Sequence, residues 1–210
     1  TSGLVTATAA TTITGTASAL TTFIEGEADN GNALTFHSRR SATVVDAGSV
    51  AAADLKTIND KTSGLVTATG VTALTGTASA IATLMGTEAD TGDAVNLDGD
   101  FVVTVDGGSV AAADLNTING KTSGLVTATA ATTITGTASA ITTLIAAEAD
   151  TGNAVNLDGD FAVTVSDTGS VAAADLTTIN NKASGLVTAT AATTITGTVS
   201  ALTTLIAAEA

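Results

Sequence analysis

The stretch "TSGLVTATAATTITGT" occupies Thr1–Thr16 and returns unchanged at Thr122–Thr137. With Ala183 in place of Thr it recurs at Ala183–Thr198, and a looser version, "TSGLVTATGVTALTGT", fills Thr62–Thr77. The starts at Thr1, Thr62, Thr122 and Ala183 are almost evenly spaced. Self-similarity at a fixed long period marks a solenoid or an array, and it outranks any local signal. Between the copies run three versions of a second block. The chain therefore reads as one continuous array of seven blocks, 1-31, 32-61, 62-92, 93-121, 122-152, 153-182 and 183-210.

Each block reads as strand, strand, turn and helix. In the first kind these are LVTAT (Leu125–Thr129), TTIT (Thr132–Thr135), a Gly-Thr turn and ASAITTLIAAEA (Ala138–Ala149). In the second kind they are AVNLD (Ala94–Asp98), FVVTV (Phe101–Val105), DGGS (Asp106–Ser109) and VAAADLNTING (Val110–Gly120). Strict alternation puts Phe101, Val103 and Val105 on one face of a strand and Val102 and Thr104 on the other. Thr and Val also suit a pleated surface. In the helical stretches Ile141, Leu144 and Ile145, and likewise Ala111, Leu115 and Ile118, recur at helical spacing and form one apolar stripe each. Ser109 stands where an N-cap is wanted, and Asn119-Gly120 offers a left-handed stop.

These elements predict an α/β fold, a right-handed strand–helix solenoid of about seven coils with a parallel sheet and leucine-rich-repeat-like layering. The expectation is that equivalent strands lie side by side, so that each letter stacks on its own copy. An all-β solenoid with the Ala-rich pieces as corners is the alternative.

Composition supports a thin core. Hydrophobic residues make up 44% of the chain, yet there are only 4 Phe, 1 Met and no Trp or Tyr. Thr is the commonest residue, with 45 copies. The net charge of −14 repels phosphate backbones and anionic lipid, which disfavours nucleic-acid and membrane-surface partners. Residues 122–147 carry no charge, but nine of them are Thr, too polar for a membrane span. The absence of Cys excludes disulfides, thiolate metal sites and Cys nucleophiles.

Three features are candidates for chemistry. NLDGDF occurs at Asn96–Phe101 and Asn156–Phe161, and it places Asp98, Asp100, Asp158 and Asp160 as hard oxygen donors of the type Ca²⁺ prefers. The same Asp-Gly pairs are also ordinary turn formers. In the first second-kind block the corresponding segment is TFHSRR, Thr35–Arg40. Phe36, His37, Arg39 and Arg40 there form a candidate interaction loop, basic where its counterparts are acidic. Finally, Thr67/Thr69, Thr127/Thr129 and Thr188/Thr190 pair on single strand faces, a remote ice-binding pattern present only in alternate coils. No nucleophile–base–acid set, phosphate loop or aromatic sugar platform is present, so no enzymatic activity and no required cofactor are expected.

The segment VTVDGGSVAAADLNTINGKTSGLVTATAATTITGTASAI, Val103–Ile141, resembles the tandem repeats of very long secreted or cell-surface bacterial proteins of the cyanobacterial type, and the resemblance covers nearly the whole chain. That resemblance implies an extracellular structural role as adhesin, surface layer or fibre. It also implies self-association end to end or with flanking repeats. The glycine-rich calcium-binding nonapeptide of many such proteins is missing here. Neither end carries a polar capping repeat, which fits an array that continues or joins to others.

Overall fold

A computed structural model describes residues 5–7, 10–26, 34–36 and 40–208. By contact the chain separates into two compact units, Thr1–Gly76 with Ala80–Val103, and Thr77–Ser79 with Thr104–Ala210. The first holds β1 (Val5–Ala7), β2 (Thr12–Gly15), α1 (Ala17–Glu25), β3 (Leu34–Phe36), β4 (Ser41–Val44), β5 (Ser49–Ala51), α2 (Ala52–Asp60), β6 (Val66–Thr67) and β7 (Ala73–Gly76). The unit limits fall inside α3 (Ala78–Met85) and β9 (Val102–Val105), with β8 (Val95–Asn96) between them in the first unit. The second unit continues with β10 (Gly108–Ala111), α4 (Ala112–Asn119), β11 (Val126–Thr127), β12 (Ala131–Gly136) and α5 (Ala138–Ala146). It ends with β13 (Val155–Asn156), β14 (Ala162–Val165), β15 (Ser170–Ala172), α6 (Ala173–Lys182), β16 (Val187–Thr188), β17 (Thr194–Thr196) and α7 (Val199–Ala207).

The Ala-rich stretches are helices, so the all-β alternative fails. A first-kind coil has two strands and a helix. A second-kind coil has three strands and a helix, one strand more than its sequence suggests. The additional strand is the SVA segment of β5, β10 and β15, which runs straight into the helix. Ser109 therefore lies within β10, and the N-cap of α4 is Ala111, which makes no side-chain capping bond. Gly120 closes α4 at φ −72°, right-handed rather than left-handed. The buried stripe of α4 is Ala112, Leu115 and Ile118, with Ala111 only half-buried.

The helices of the two kinds begin differently because their entrances differ. In the first kind Thr16, Thr137 and Thr198 are the N-caps, each accepting from the backbone N–H three residues on at 3.2 Å. In the second kind Asp54, Asp114 and Asp175 sit in the first helical turn, where a carboxylate meets the positive end of the helix. Thr is an indifferent helix former. Here its hydroxyl donates back to a carbonyl one turn earlier, as Thr21 does to Ala17 and Thr143 to Ser139, both at 2.9 Å. A Thr-rich segment can thus stay helical with its side-chain donors satisfied.

All described strand pairings are parallel, and like coils do not stack on like. In the first unit the order β2-β4-β6-β8 alternates coil kinds, with Ile13 beside Ala42, Ala42 beside Val66 and Val66 beside Val95. In the second unit β10-β12-β14-β16 does the same. The step along the chain is longer going from a first-kind to a second-kind coil, as from Ile134 to Val163, than on the return, as from Val163 to Val187. The pairing slips by one strand position for every two coils, because the two-strand coil meets strands one and two of the next coil but strands two and three of the previous one. The expectation that each letter stacks on its own copy is corrected accordingly.

The core lies between strands and helices and is built from Val, Ile, Leu and Ala, with Phe101 and Phe161 each 1% exposed. Where the chain enters β16 it crosses the preceding coil at close range. A Cβ on Gly185 would lie 2.8 Å from the Phe161 carbonyl oxygen and from the Ala162 nitrogen. At Gly159 nothing lies within 4 Å. Gly185→Ala should therefore lower the stability measured by urea unfolding by about 1–3 kcal/mol, the usual cost of overpacking, while Gly159→Ala should leave it nearly unchanged.

Candidate functional site

The acidic turns stand at the solvent surface. Asp98, Asp100, Asp158 and Asp160 are all exposed, and among the described residues no group of three or more His, Asp or Glu side chains gathers as a metal ion would require. Asp160 has a visible structural job: its Oδ1 accepts a hydrogen bond of 2.9 Å from Ser184 Oγ at the start of the next coil.

The basic loop divides. His37 and Arg39 lie outside the described residues, and Phe36 is placed only as the last residue of β3. Arg40 is buried, at 3% exposure. It immediately precedes β4, as Phe101 precedes β9 and Phe161 precedes β14, so it occupies the slot that an aromatic ring fills in the other two second-kind coils. This corrects its reading as a surface contact residue. The Arg40 carbonyl also accepts from the Gly64 N–H at 3.2 Å, the same crossing that Phe161 makes with Gly185.

The slipped pairing changes the Thr pattern as well. Thr14, Thr43, Thr67 and Asn96 fall in one cross-strand row on the outer face of the first unit's sheet. Thr135, Thr164 and Thr188 do so in the second unit. Thr residues of both coil kinds share each row, while the pairs Thr67/Thr69, Thr127/Thr129 and Thr188/Thr190 themselves recur only in alternate coils. Adjacent members sit one strand apart, ~4.8 Å.

Polar contacts distinguish the two kinds of seam between coils. Where a second-kind coil follows a first-kind coil, a carboxylate from the later coil caps the earlier helix. Asp46 Oδ2 accepts from the Ala17 N–H, and Asp167 Oδ2 accepts from the Ala138 N–H, each at 2.7 Å. At the other end of that seam Lys182 Nζ meets Glu148 Oε2 at 2.6 Å. Where a first-kind coil follows, Asn116 Nδ2 donates to the Ala140 carbonyl at 2.9 Å, and Ser184 reaches Asp160. These caps escape sequence reasoning because Asp46 and Asp167 sit in loops that look like ordinary solvent-facing turns. Nothing local to either loop marks the helix it caps, which belongs to the preceding coil.

The face of the last coil is apolar and open. Leu186, Val199 and Ile206 are 76%, 83% and 66% exposed, and α7 has no buried residue. A groove of about 810 Å³ opens between the strand segment 185–195 and α7 of this coil, lined also by Leu176 and Asn180 of α6. Among the described residues no helix is long and apolar enough to cross a membrane. No family model, curated protein or solved structure matches the chain.

Substitutions at two positions test these assignments. Asp167→Ala should cost about 1 kcal/mol in urea unfolding and speed exchange of the Ala138 amide, with Asp167→Asn retaining most of the cap. Arg40→Phe, which restores the ring found in the sister coils, should hold stability or raise it by about 0.5–2 kcal/mol, whereas a surface contact residue would tolerate Arg40→Ala equally well.

Proposed function

We propose that the chain is a structural repeat segment of an extracellular or cell-surface bacterial protein. Its stacked coils would form a solenoid that builds a rod, filament or surface layer. The observation that carries this reading is the repeated seam: the same strand pairing recurs in both units, and the same Asp cap closes a first-kind to second-kind seam in each. A module that repeats its own contacts can be lengthened without redesign, which is what a spacer or fibre needs. The absence of Cys and the strong negative charge suit a long exported chain that must stay soluble without oxidative folding. The resemblance of Val103–Ile141 to tandem repeats of secreted proteins points the same way.

Adhesion is the second reading, favoured by the Thr rows. They present hydroxyls at one-strand spacing on a sheet face, a regular surface for contact with an ordered substrate or glycan. Ice binding is a remote form of the same idea. Neither reading assigns a catalytic step, a membrane span or a nucleic-acid partner.

In a solenoid of this kind helices packing ~8–10 Å apart would lie against strands ~4.8 Å apart, which bends the array with the sheet on the inside. Duplicating residues 122–182 within the chain adds one coil of each kind. Small-angle scattering and electron microscopy should then show a length increase between ~10 and ~20 Å at constant cross-section. A particle that swells in all directions without lengthening would exclude the stacked-coil architecture.

A further inference from the structure

The open face of the last coil has an internal control within the same unit. Residues 184–198 repeat residues 123–137 letter for letter, and the helices that follow differ at only two positions, Val199 for Ala138 and Leu202 for Ile141. In the earlier coil this face is covered by the second-kind coil 153–182, and Val126, Ile134, Ile141 and Leu144 are each 0% exposed. In the last coil the counterparts Val187, Leu202 and Leu205 are no longer buried, and Ile195 is 37% exposed. The same side chains are therefore core when a coil of the second kind lies on them and surface when it does not.

We infer that the face formed by β16, β17 and α7 is a docking site for a strand–helix coil of the second kind, and not for one of the first kind. This rests on the stacking proposed above and names the partner. Three features of the face select it. β11 pairs onward with β13, and β12 with β14, both second-kind strands, with Val126 opposite Val155 and Ile134 opposite Val163. By repetition Val187 and Ile195 require partners of the same kind. The N–H of Val199 stands where Ala138 receives the Asp167 carboxylate, and only second-kind coils carry that Asp. The described seams join unlike coils throughout each unit, so a first-kind coil would bring neither the partner strands nor the cap. One residue of the face departs from the pattern: Val199 fills a slot held by Ala17, Ala78 and Ala138, which are 2%, 5% and 4% exposed. Its two additional methyl groups oppose close docking.

The test extends the intact chain after Ala210. One version carries a second copy of residues 150–182. The other carries the Asp150–Gly152 linker followed by a copy of residues 122–152. Both are made with the natural Val199 and with Val199→Ala. Hydrogen exchange is followed at Val187, Ile195, Val199 and Leu202, with Ile134 and Ile141 reporting that the unit remains folded. The second-kind extension should slow exchange at Val187, Ile195 and Leu202 by at least ~10-fold, most strongly with Val199→Ala. The first-kind extension should leave these amides unchanged. Introducing the Asp167→Ala change into the appended copy should return only the Val199 amide toward its unextended rate.

Equal slowing by both extensions would overturn the choice of partner while leaving the stacking reading intact. No slowing by either, with Ile134 and Ile141 still protected, would overturn both. Protection already present in the unextended chain and rising with protein concentration would mean that a second copy occupies the face, and would also overturn the inference.

Discussion

The structure depends on parallel pairing between strands of unlike coils. A two-strand coil lies between three-strand coils, meeting strands one and two on one side and strands two and three on the other. Every other feature follows from this arrangement. The backbone groups of such short strands are satisfied by neighbours in adjacent coils, so no coil is complete alone. The helix of each coil is also short, eight to ten residues, and below the length at which an isolated helix holds in water. Strand and helix are stable together because the next coil buries both.

The side-chain alphabet is a consequence of that geometry. Close approach of successive coils leaves little depth for large residues, and the deepest positions are held by Val, Ile, Leu and Ala, with one Phe before the central strand in two of the three second-kind coils. Arg40 shows how strict that slot is in position and how permissive in chemistry, since a long aliphatic stem stands where a ring is found elsewhere. Glycine is required where the chain crosses its predecessor, as at Gly185, and not where a turn merely points into solvent, as at Gly159. Thr serves in both environments: on strands it aligns with other Thr residues across the sheet, and on helices it satisfies its own hydroxyl against the preceding turn.

Charge is used locally at the seams. A strongly acidic chain must place its carboxylates without mutual repulsion, and helix N-termini are favourable sites for them. Asp46 and Asp167 reach across to the preceding helix, while Asp54, Asp114 and Asp175 serve their own. The Lys182–Glu148 pair closes the opposite end of one seam at a half-exposed position where its contribution is modest. Such contacts give each kind of seam its own polar pattern.

By itself the sequence determined the repeat period, the helical character of the Ala-rich stretches and the inward face of Phe101, Val103 and Val105. All of these rest on residue spacing within a single element or on plain repetition, and both are legible without the fold. Tertiary structure alone decided which strand pairs with which, that Val110 belongs to a third strand and not to a helix, and that Arg40 is core. It also decided that Asp167 is a cap and that Thr residues of unlike coils share a row. Each of these depends on a partner in the neighbouring coil, and a repeat made of two unlike halves is compatible with more than one register between them. The slip between two-strand and three-strand coils chose one, and side chains whose own neighbours look alike were sorted into core and surface by it.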